Sequence, residues 1–154
     1  MEKNFKVAKL TEALVAANLS GSADPYELAS VTIRRTVQVA LRALPAWDPA
    51  GGLVVEEAVR GGLQALVMAE LDIARGGFLT LCEMTDLAVE LGRDPVDMMK
   101  SAMRGMAALS RLVPATDMER LRLAIESGNP GSGTTFHGLV NGYVNPTSPY
   151  PLAS

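Results

Sequence analysis

The chain has 154 residues, 48% hydrophobic and 20% charged, with a net charge of −3. That is long enough for one domain with a real core and too apolar for a disordered chain. No apolar run reaches the ~18 residues of a membrane span, and no basic face of the kind that nucleic-acid binders carry is evident, since only Arg34, Arg35 and Arg42 cluster.

Taken in chain order, caps and apolar stripes predict six helices. The first spans about Asn4 to Leu19, with Val7, Leu10, Leu14 and Ala17 on one face, and Ser20-Gly21 ends it. Nothing in Met1 to Lys6 resembles the apolar stretch of a secretory leader. The second helix opens at Asp24-Pro25-Tyr26-Glu27, where Asp caps and Pro takes the first helical position. Its face is Ile33, Val37, Leu41 and Leu44, and Pro45 closes it. Asp48-Pro49 starts a third helix expected to continue to about Arg75, before Gly76-Gly77. This helix is apolar on most of its circumference, through Val55, Val59, Leu66 and Ile73 on one side and Leu63, Val67 and Leu71 on another, so it belongs at the centre.

Thr80-Leu81-Cys82-Glu83 reads as a capping box for a short fourth helix ending at Gly92. Asp94-Pro95-Val96-Asp97 starts a fifth, ending before Pro114, and Thr116-Asp117-Met118-Glu119 a sixth, ending at Gly128. Ala58-Val59-Arg60-Gly61 echoes Ala102-Met103-Arg104-Gly105, and Asp-Pro opens three helices; since the surrounding segments do not align, the echo reads as reuse of good helix starts. The predicted fold is all-α: a single-domain bundle of about six helices over residues 1–127, followed by a non-helical, mostly extended C-terminal arm over 128–154.

The arm has a different composition. It holds five glycines, four prolines and three of the seven aromatic residues, with no charge. Asn141-Gly142 between Leu139-Val140 and Tyr143-Val144 is a hairpin signal. Such a segment cannot fold alone, yet Phe136, Leu139, Val140, Tyr143, Val144 and Tyr150 equip it to dock on a body or a neighbour.

Catalytic patterns are missing. Cys82, the single cysteine, rules out an internal disulfide and suits a reducing compartment. It falls in the first turn of the predicted fourth helix, where the dipole would activate a thiolate, but the one histidine, His137, is in the arm, and a small core or interface cysteine is the plainer role. No Glu-x-x-His or Cys-x-x-Cys pairing suggests a metal. Glu70, expected on the Val59–Leu66–Ile73 face, calls for an arginine partner. Gly51-Gly52, Gly61-Gly62 and Gly76-Gly77 have neither the spacing nor the lysine of a phosphate loop. No cofactor and no small-molecule substrate is implied.

Two further features concern partners. Residues 87–99 resemble a helix-turn-helix core: Ala88 stands where the helices cross, Gly92 at the turn, Met98 at the anchor of the second helix. The resemblance implies a DNA-facing set of Lys100, Ser101 and Arg104, shared with Asp94 and Asp97, whose carboxylates oppose phosphate; a glycine-capped helical corner accounts for the same residues. Met99, Met103 and Met106 form a stripe on the fifth helix, with Met98 to its side, suited to a core or to an adaptable protein-binding surface. Together these features describe a non-enzymatic structural or assembly subunit, self-associating or bound to another protein subunit, in the cytoplasm or in a particle assembled there. Virion connector and adaptor proteins offer an architectural analogy. The alternative is a DNA-binding regulator using residues 81–104.

Overall fold

The computed structural model describes residues 2–144, with side chains over residues 6–142. Seven α-helices follow one another: α1 Glu2–Asn18, α2 Pro25–Arg42, α3 Ala50–Met68, α4 Ile73–Leu91, α5 Pro95–Ala107, α6 Ala115–Gly128 and α7 Ser132–Val144, with 3-10 turns at Leu19–Gly21 and Ala108–Arg111. There is no strand among the described residues, and no helix is long and apolar enough to cross a membrane.

Several helix starts follow the sequence signals. The Asp24 carboxylate accepts from Tyr26 N and Glu27 N at 3.1 Å each, and that of Asp94 from Val96 N at 2.9 Å. Gly92, at φ 69°, turns the chain out of α4 as Arg93 N donates to Ala88 O at 2.8 Å. Three predicted boundaries are corrected. The third helix does not run to Arg75; it ends at Met68, and α4 begins at Ile73 with Asp72 as its cap. The break is a Schellman turn, with Leu71 N donating to Leu66 O and Glu70 N to Val67 O. Its left-handed residue is Glu70, at φ 60°, where a glycine is usual, so nothing in the sequence announces the turn. Glu70 is therefore exposed and not on a buried face. Thr80 lies inside α4, its hydroxyl donating back to Gly76 O at 2.7 Å, so it caps nothing. Pro114, not Thr116, precedes the first residue of α6.

The helices alternate between two layers. α1, α3 and α5 pack in one, and α2, α4 and α6 in the other. Within the second layer α2 and α4 run in the same direction: Asp72 N donates to Tyr26 Oη at 3.3 Å near their starts, and the Arg93 guanidinium reaches Leu41 O and Leu44 O near their ends. Between them Arg34 binds Glu83, Asp86 and Glu90 at 3.0, 2.7 and 2.9 Å. The hydrogen bond to Asp86 leads the interactions that raise the Arg34 pKa above its ordinary value.

Within the first layer two glycines set the spacing. A Cβ on Gly61 would overlap the Ala8 carbonyl of α1, and a Cβ on Gly105 would overlap the Glu56 carbonyl of α3. These are the glycines of the Ala58–Gly61 and Ala102–Gly105 echo, so the repeated tetrapeptide marks helix crossings rather than helix starts. The central helix is α3, as its all-round apolarity predicts: Val55, Val59, Leu63 and Leu66 are buried.

Candidate functional site

The side chains singled out for interaction divide into several groups. Met103 and Met106 are buried, and Met99 is half-buried with its sulfur 3.9 Å from the Ser132 hydroxyl. The stripe is thus absorbed by the chain's own core. Residues 132–144 form α7 rather than an extended arm or hairpin, because the segment packs on α5, α6 and the Ala108–Arg111 turn. Phe136 is 0% exposed, and Leu139 and Val140 are half-buried against the core. Tyr143 and Val144 end α7, while Tyr150 lies outside the described residues.

Cys82 is exposed in the middle of α4, not in its first turn. Partial burial, with Glu83 adding to it, pushes its thiol up from the ordinary value, which is the opposite of nucleophile activation. Among the described residues no cluster of His, Cys, Asp or Glu could hold a metal ion.

A helical corner forms at Gly92, as both readings of the segment expect, with Ala88 and Met98 buried. Of the implied DNA-facing set, Lys100 and Arg104 are exposed but Ser101 is buried, its hydroxyl standing over Gly52 of α3. Lys100, Ser101 and Arg104 instead form one wall of a groove of about 290 Å³, with Arg93, Asp97 and the Ala46–Pro49 loop opposite and beside them. An adjoining hollow of about 260 Å³ runs inward to Leu41, Val55 and Met98. Asp97, Lys100, Ser101 and Arg104 share a face of α5 because they recur at i, i+3, i+4 and i+7.

A second cavity, of about 420 Å³, lies between α6 and α7 over Met118, Phe136 and Val140. It brings Ser110, His137 and Glu119 to one rim, the residue types of a nucleophile, base and acid. They do not form a relay. The Ser110 hydroxyl is buried with no hydrogen-bond partner among the described residues. Glu119 is bound by Arg122, whose hydrogen bonds hold the carboxyl below its ordinary range and raise the guanidinium in turn. His137 Nε2 faces Asn141 Nδ2 at 3.3 Å.

The face of α1 that the sequence groups as Val7, Leu10, Leu14 and Ala17 is split, with Val7 packed against the core and the rest turned outward. The buried residues of the helix are Ala8, Thr11 and Val15, while Leu10 is 54% and Leu14 41% exposed, with Ala13 and Ala17 also outward. The stripe itself was legible. Its orientation was not, because Gly61 admits the small Ala8 face of α1 closer than a leucine face could come. No protein-family model, no curated protein and no solved structure matches the chain.

Proposed function

We propose that the chain is a non-enzymatic assembly subunit that pairs with a second copy of itself through the outer face of α1. The observation that carries this is the outward stripe of Leu10, Ala13, Leu14 and Ala17, with no helix against it among the described residues. Leu10 and Leu14 stand symmetrically about Glu12, so an antiparallel second α1 brings each Leu10 against the partner's Leu14. One patch then serves both subunits, as a two-fold interface requires. Contact between exposed leucines removes apolar surface from water at roughly 25 cal/mol per Å².

The test is the mass of the full chain by light scattering, with the Leu10→Lys, Leu14→Lys double variant beside it. The expected result is an oligomer for the parent and a monomer of unchanged helical circular dichroism for the variant, since both leucines are already half in water. A parent that is monomeric at tens of micromolar, or a variant of undiminished mass, sinks the proposal.

A further inference from the structure

The groove between the Ala46–Pro49 loop and α5 has the chemistry of an anion site. The first turn of α3 opens on it, contributing Gly52 and the positive end of the helix dipole. Three cations face it: Arg93, Lys100 and Arg104. Lys100 and Arg104 have no hydrogen-bond or ion-pair partner among the described residues. Among the described residues Arg93 donates to the Leu41 and Leu44 carbonyls, at 3.4 Å each, and to no carboxylate. Against these stand two carboxylates. That of Asp48 is engaged by Ala50 N at 2.9 Å, and that of Asp97 lies one turn before Lys100 on the same wall.

A second, independent observation is Ser101. Its side chain lines both the groove and the inner hollow, and the residue is only 7% exposed. No hydrogen bond from its hydroxyl to another described residue is formed, and the hydroxyl opens on the groove. A hydroxyl held on the wall of the groove and not engaged by the chain is free to donate to a ligand oxygen over Gly52.

We infer that this groove binds the phosphate group of a small phosphate monoester. The phosphate oxygens would take donors from Lys100, Arg104 and Ser101 at the first turn of α3. The remainder of the ligand would extend into the hollow floored by Leu41, Val55 and Met98. A dianion with three acceptor oxygens uses this spread of donors better than a carboxylate does. The site is separate from the outer face of α1, so it is independent of self-association.

The chain's single tryptophan is the natural reporter: Trp47 is 81% exposed and sits between the lining residues Ala46 and Asp48. The experiment titrates the full chain with inorganic phosphate and with adenosine monophosphate, following Trp47 fluorescence and calorimetry. Saturable binding of either probe is expected. It should weaken at least about tenfold in the Lys100→Gln, Arg104→Gln double variant, each lost contact being charge-assisted. Ser101→Ala should weaken it too, and Asp97→Asn should tighten it by removing the opposing carboxylate. Unchanged helical circular dichroism in the variants separates loss of site from loss of fold. No saturation by about 10 mM of either probe, equal binding by the double variant, or binding of duplex DNA without binding of either small probe overturns the inference.

Discussion

At one end of the stack, α1 buries Ala8, Thr11 and Val15 and turns Leu10 and Leu14 to solvent. At the other, α7 buries Phe136, half-buries Leu139 and Val140, and turns Thr134, Thr135, His137 and Asn141 outward. A helix at the end of a layer has no neighbour on its outer side, so that side needs a polar face to stand in water. The α7 end meets that requirement and the α1 end does not. The difference arises in how each helix is seated. A small-residue crossing at Gly61 holds α1 by close backbone approach and leaves its large side chains outside. A single large aromatic residue anchors α7, in a segment whose other residues are mostly small or polar.

The comparison breaks most visibly at Phe136. Phe136→Ala should cost about 3–5 kcal/mol in denaturant unfolding, the range for truncating a fully buried aromatic residue. Truncation after Gly128, which removes α7 altogether and uncovers the faces of α5 and α6 beneath it, should cost at least as much. If either protein unfolds within 1 kcal/mol of the parent (roughly the effect of an ordinary substitution), α7 is not a seated cap.

A smaller effect, with opposite signs at the two ends, is expected from glycine. Gly61→Ala sets a methyl group on the Ala8 carbonyl, so α1 must lift, at about 1–3 kcal/mol for an overpacked contact. Gly138→Ala on α7 meets nothing within 4 Å and should stabilise by up to about 1 kcal/mol through helix propensity. Hydrogen exchange reads the first directly: the amides of α1 should lose protection while those of α4 keep theirs. Undisturbed protection in α1 would show that the crossing is looser than its geometry.

The smallest effect concerns acid. The Glu126 carboxylate accepts from Gly131 N and Gly133 N at 2.9 Å each, and these two bonds tie down the start of α7. They hold its pKa below the ordinary glutamate value. Because the folded pKa is the lower one, the stabilisation is fully present above the ordinary value of about 4.3 and is lost as pH falls through the folded one. Melting curves of the parent and of Glu126→Gln should therefore differ at neutral pH and converge below about pH 4. A gap that stays constant across that range would mean the carboxylate's charge is irrelevant there.

Local signals carried much of this protein. The Asp24 and Asp94 caps, the Gly92 turn and the central place of α3 depend on residues adjacent in sequence or on one helix's own periodicity, so they can be read without a partner. Tertiary structure decided the rest. A glutamate in the left-handed conformation hides the break between α3 and α4, because Leu71 packed on the core compensates a backbone cost that the sequence cannot display. The direction of the α1 stripe depended on which face could approach Gly61. Residues 132–144 are helical because α5, α6 and the Ala108–Arg111 turn offer a surface that buries Phe136, although glycine, threonine and Asn-Gly disfavour a helix locally. The groove joins Lys100, Ser101 and Arg104 of α5 to Gly52 of α3 and to Arg93 in the loop before α5, and no local spacing encodes that meeting. Periodicity says that a helix has an apolar face, whereas only packing between distant segments says what that face meets.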